Sequence, residues 1–82
     1  ASRTSVGRDA SADIQIDDSG LSRKHFEILW DGSKAGIRDL GSTNGTKLNG
    51  RAVTEAGMAA DSVITAGHSE FIFRVIAKTV NG

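Results

Sequence analysis

Three clusters of polar residues in this chain could do chemistry: Gly7-Arg8, Ser22-Arg23-Lys24-His25 and Ser42-Thr43-Asn44-Gly45. An arginine presents a planar fork that meets two oxygens of an oxyanion at once, which an ammonium does not. Ser22 and His25 invite a nucleophile–base reading, with Asp39 as the orienting carboxylate. No nucleophile elbow and no candidate oxyanion hole accompany them, and so short a domain leaves little room for a substrate cleft. The sequence therefore reads as a non-enzyme, with His25 bracing its own loop. The run around Asn44 puts hydroxyl and amide groups on a tight turn, suited to gripping a polar ligand or an extended peptide. His25 and His68 stand far apart with no ligand spacing around either, and the chain has no cysteine. Neither a metal site nor a cofactor is expected.

The elements that must position these clusters are short strands. Proline is absent and ten glycines punctuate the chain. Ser5–Arg8 reads as a short strand and Ala12–Asp17 as an alternating, half-buried one. Lys24–Trp30 puts Phe26, Ile28 and Trp30 on one face and pairs with Ala35–Leu40 through the Asp31-Gly32-Ser33-Lys34 turn. Thr46–Leu48, the Asn49-Gly50 turn and Ala52-Val53 follow. Glu55–Asp61 reads as irregular, with Met58 tucked inward. Ser62–Ala66 and Glu70–Ile76 form a last hairpin around Gly67-His68-Ser69. The expected core is Phe26, Ile28, Trp30, Ile37, Leu40, Val63, Ile64, Phe71 and Phe73, and His68 is expected to have no chemical role. No segment holds a helical period, so the chain is all-β, a sandwich or a barrel.

At 82 residues it reads as one domain, residues 1–82. Ten basic residues balance ten acidic ones, so no global field draws it to nucleic acid. Nucleic-acid binding would also need exposed aromatics along a basic stripe, whereas three of the four aromatics are phenylalanines placed as core. No apolar run would insert in a membrane and no signal-peptide pattern starts at Ala1. The Asn44-Gly45-Thr46 glycosylation pattern accordingly carries little weight, and the expected location is cytoplasmic.

Each cluster alone is a weak signal. In this order, on an all-β background, they resemble the forkhead-associated (FHA) domain, a phosphothreonine-peptide recognition family, and its bacterial members in particular. The likeness runs from about Ser5 to Val75. It implies a β-sandwich of two twisted sheets with ligand loops at one end. It also implies a phosphothreonine-dependent module docking a partner phosphorylated by a Ser/Thr kinase: the kinase, a kinase-like protein or a substrate. By position, Arg8 and Ser22 would bind the phosphate, Arg23 would add charge, Thr43 would shape the pocket and Asn44 would hold the peptide backbone. Gly7, His25 and Gly45 would support the site. Preference for threonine implies a niche for one methyl, worth roughly 1 kcal/mol, helped by the stiffer rotamer of a β-branched residue. The family usually carries another strand before the Gly-Arg, where six residues precede Gly7 here. That departure predicts a missing first strand and one open sheet edge. The competing reading is a phosphorylation-independent interaction domain using the same loops.

Overall fold

The structure, a computed structural model, describes residues 2–75. It contains nine strands: β1 (Ser2–Gly7), β2 (Ile14–Gln15), β3 (Phe26–Trp30), β4 (Ala35–Asp39), β5 (Thr46–Leu48), β6 (Arg51–Val53), β7 (Glu55–Met58), β8 (Val63–Ala66) and β9 (Ser69–Ile72). One sheet has the order β2-β1-β3-β4-β7, the other β6-β5-β8-β9. The architecture is the expected two-sheet sandwich.

Alternation sets which side chains meet between the sheets. Val6 is paired with Phe26, and Ile28 with Ile37, which is paired in turn with Ala56. On the other sheet, Leu48 is paired with Ile64, and Ile64 with Phe71. These residues form one core cluster, and Phe26 and Phe71 meet edge-on across it with ring centroids 5.5 Å apart. The outer face of the first sheet carries Glu27, which Arg38 pairs at 2.6 Å.

Several elements differ from expectation. β1 starts at Ser2 and ends at Gly7, and it lies inside its sheet between β2 and β3. Ser2–Val6, ahead of Gly7, thus belong to an interior strand, while among the described residues β9 is paired only with β8. The alternating Ala12–Asp17 stretch yields only two strand residues, parallel to β1, and Ile14 is exposed. Asp13 explains the shortening: its carboxylate accepts both the backbone N–H and the hydroxyl of Ser5, at 2.8 and 3.1 Å, and stands where further ladder bonds would form. Glu55–Asp61 is not irregular throughout, because Glu55–Met58 is the edge strand β7 beside β4. Met58 is buried as expected. The last turn is shorter than expected, since Ser69 already opens β9; Ile76 and the rest of 76–82 lie outside the described residues. Trp30, Leu40 and Val63 are only half-buried and lie outside the core cluster, whereas Val6, Leu21 and Ala66 are core residues the sequence did not single out.

Register brings the chemistry to one end. Gly7 ends β1 beside the start of β3, Asp39 ends β4 opposite Phe26, and Thr46 opens β5 beside Ala66, which is paired in turn with Ser69. The loops 8–25, 40–45 and 67–68 therefore leave the sandwich together.

Candidate functional site

Backbone bonds lash the first two loops into one body. His25 N–H donates to Val6 O at 2.8 Å, Arg8 N–H to Ser22 O at 3.0 Å and Asp9 N–H to Arg23 O at 3.1 Å. The Gly7-Arg8 corner is thereby set against the Ser22–His25 run. Arg8 Nε donates to Leu21 O at 3.1 Å. This fixes the guanidinium by one edge and leaves both Nη groups for an oxyanion.

His25 is fully buried and joins this body to the Asn44 turn. Its Nδ1 accepts the Ser22 backbone N–H at 3.0 Å, so Nε2 carries the proton and donates to Gly45 O at 2.7 Å. Gly45 lies at φ 82°, a conformation that glycine adopts without strain and that aims its carbonyl at the imidazole. His25 thus ties the Ser22 backbone to the Gly45 backbone. The alternative Ser22–His25–Asp39 triad is not assembled: Ser22 Oγ accepts Thr43 N–H at 3.0 Å, and Asp39 holds Ser42 Oγ and Thr46 Oγ1 at 2.5 and 2.7 Å. Burial would raise the Asp39 carboxyl, but these hydroxyls and the backbone N–H groups of Ser42 and Gly41 outweigh it and hold it below its ordinary value.

The serine, threonine and asparagine positions follow from these braces. Ser22 Oγ spends one lone pair on Thr43 N–H and keeps its own hydrogen for another acceptor. Asn44 Nδ2 donates to Gly20 O at 2.8 Å, leaving Oδ1 and a second N–H. Arg8, Ser22, Arg23, Thr43 and Asn44 all line one cavity of about 370 Å³, completed by Ser19, Gly20 and Leu21. The structure thus brings the five residues together, with Gly7, His25 and Gly45 behind them. No cluster of metal-ligating side chains occurs among the described residues.

Sequence reasoning missed what holds the Ser19–Leu21 wall. Asp18 is buried, and its Oδ2 accepts the Ser69 hydroxyl at 2.6 Å and the His68 backbone N–H at 2.8 Å. Its Oδ1 accepts Gly20 N–H at 2.8 Å and faces His68 Nδ1 at 3.1 Å. Asp18 so ties the second loop to the β8–β9 turn. His68, expected to be idle, is one of its partners. The Ser69 hydroxyl above all, then the Gly20 and His68 amides, lower the Asp18 carboxyl from 3.8 to about 2 against the opposing effect of burial. The folded state therefore binds this proton less readily than the unfolded chain. The stabilisation is complete above about pH 4 and is lost as pH falls from there toward 2. In urea titrations across pH 2–6, Asp18→Asn is expected to flatten part of the acid limb. An acid limb of unchanged slope would contradict the anchor role. Asp9, Asp13, Asp31 and Asp39 are lowered too and act in the same sense.

The FHA domain family model matches residues 4–67. The FHA domain-containing protein FhaA of Mycobacterium tuberculosis is 47% identical over 70 residues, covering 85% of this chain and 13% of that protein. The glycogen accumulation regulator GarA of Mycolicibacterium smegmatis is 36% identical over 70 residues, covering 85% of this chain and 44% of that protein. The chain thus spans less than half the length of either relative. Among solved structures, a domain from a structural and functional analysis of phosphothreonine-dependent FHA domain interactions superposes with a TM-score of 0.88 at 43% identity, covering 93% of this chain and 79% of that one. The FhaA FHA domain, crystallised in complex with the intracellular domain of Rv3910, superposes with a TM-score of 0.82 at 46% identity, covering 85% and 77%. No described helix is long and apolar enough to cross a membrane.

Proposed function

This chain belongs to the FHA domain family, and from that premise we propose that it is a phosphothreonine-dependent module docking a partner phosphorylated by a Ser/Thr kinase. One observation carries the reading: Arg8, Ser22, Arg23, Thr43 and Asn44 line a single cavity at the loop end of the sandwich. In this reading Arg8 takes two phosphate oxygens through its Nη groups, Ser22 donates its hydroxyl to a third, and Arg23 adds charge from the rim. Thr43 shapes the wall, and Asn44 offers its Oδ1 and spare N–H to the peptide backbone. Gly7, His25 and Gly45 hold these groups in register. A phosphothreonine suits such a site because it brings a charge of about −1.5 to −2 and three strong acceptors. The partner is a protein carrying this group. The complex of the FhaA FHA domain with the intracellular domain of Rv3910 supports a protein partner in that role, with a kinase, a kinase-like protein or a substrate as the finer choices. The domain does no chemistry of its own and works in the cytoplasm.

The test is titration with matched phosphothreonine, phosphoserine and unmodified peptides. Binding confined to phosphothreonine is expected. Equal binding to the unmodified set would replace the reading with a phosphorylation-independent interaction surface. Ser22→Ala is expected to cost about 1.5–3 kcal/mol of phosphopeptide affinity, the range for a hydrogen bond to a charged group. Part of the loss comes through the stranded Thr43 N–H. Unchanged calorimetric affinity in Ser22→Ala would remove the hydroxyl from the phosphate site.

A further inference from the structure

Asn44 also borders a second cavity, of about 170 Å³, whose other walls are Gly45, Lys47, Thr65, Ala66 and Gly67. Register accounts for the lining. β5 buries Thr46 and exposes Lys47. Lys47 is paired with Thr65, and Thr65 with Glu70, so the three share a row on the outer face of the second sheet. The cross-strand neighbour of Lys47 on its other side is Ala52. Lys47 enters no ion pair among the described residues, and Glu70 stands two strands away, roughly 9–10 Å at ordinary strand spacing. Lys47 thus lines a cavity whose other walls are Asn44, Thr65 and small residues, with no carboxylate as its cross-strand neighbour.

Building on the phosphothreonine reading, we propose that this second cavity is a specificity subsite in which Lys47 selects a peptide residue bearing a carboxylate, aspartate or glutamate. The two cavities share Asn44, so an extended peptide held at the phosphate and passing over Asn44 reaches Lys47 within a few residues, at about 3.3 Å per residue. A carboxylate there meets an unopposed ammonium, whereas a lysine meets like charge. Discrimination of this kind comes from repulsion of the wrong residue as much as from attraction of the right one. Lys47 is exposed, so the preference is modest, about two- to fivefold, as for ion pairs open to solvent.

The experiment uses one phosphothreonine peptide with glutamate, glutamine or lysine placed in turn at each of the four positions on either side of the phosphothreonine. The readout is the ratio of affinities for the glutamate and lysine versions, with the parent and Lys47→Glu compared at low salt. The parent is expected to favour glutamate at one position, and Lys47→Glu to invert the ratio at that same position. Phosphothreonine-dependent binding with no preference at any position would overturn the subsite and leave the phosphate reading intact. So would a preference that Lys47→Glu does not change. Binding indifferent to phosphorylation would overturn the parent reading, and the subsite with it.

Discussion

Arg8→Ala is expected to abolish phosphopeptide binding at ordinary working concentrations, with a loss on the order of 2–4 kcal/mol, or roughly 30- to 1,000-fold in Kd. The size follows from geometry. Arg8 Nε is committed to Leu21 O, which orients the guanidinium before any ligand arrives. The two Nη groups then meet a dianion as a fixed fork, with little rotamer freedom left to lose. Alanine removes both charge-assisted bonds and leaves Ser22 and Arg23 to face the phosphate. Arg8→Lys should recover only part of the affinity, because an ammonium keeps the charge and loses the fork. The fold should survive both changes, since the Arg8 side chain is exposed and its backbone bond to Ser22 O is independent of side-chain type. Calorimetric titration beside a urea denaturation curve separates these effects. Arg8→Ala binding as tightly as the parent would place the phosphate elsewhere.

Gly7→Ala is expected to damage fold and site together. A Cβ at residue 7 would stand 1.9 Å from Arg23 O and 2.8 Å from Lys24 Cα, both backbone atoms that no rotamer change can move aside. The 22–25 run would have to leave β1. With it would go the bonds from His25 N to Val6 O, Arg8 N to Ser22 O and Asp9 N to Arg23 O. A change that strips several backbone bonds belongs to the upper tail of single substitutions, about 4 kcal/mol or more. A domain of 82 residues has a total stability of only about 4–12 kcal/mol. A sharply lower urea midpoint is therefore expected, and whatever fraction folds should bind poorly, because Arg8 and Ser22 no longer face the same point. A parent-like midpoint with parent-like affinity would show that the close approach is not needed.

What was legible in the sequence was whatever neighbours along the chain decide. The β3–β4 hairpin announced itself through Phe26, Ile28 and Trp30 in alternation before a turn, and the polar clusters through residue type and order. β7 was not legible, because Glu55-Ala56-Gly57-Met58 alternates over only four residues and has no β-branched side chain. Its extended form comes from the ladder that the edge of β4 offers, a tertiary effect that overrides propensity. Ala12–Asp17 misled in the opposite sense: its alternation promised a strand, but Asp13 folds back on Ser5. At the site, Asp18 looked like turn chemistry because its partners His68 and Ser69 lie 50 and 51 residues further on. No local pattern reports such a distance. His25 was readable as a brace, but the two atoms it joins, Ser22 N and Gly45 O, emerged only with the fold.

That long tie from Asp18 to the final hairpin bears on when in its life the protein can first work. A chain leaves the ribosome N-terminus first, at about 5–20 residues per second. Arg8, Ser22, Thr43 and Asn44 therefore emerge seconds before His68 and Ser69 do. Until those two arrive, the wall carrying Gly20 and Leu21 lacks its clamp, and closing so long a loop is a late event in folding. The nascent segment therefore displays its recognition residues before the clamp on one wall of their cavity can form.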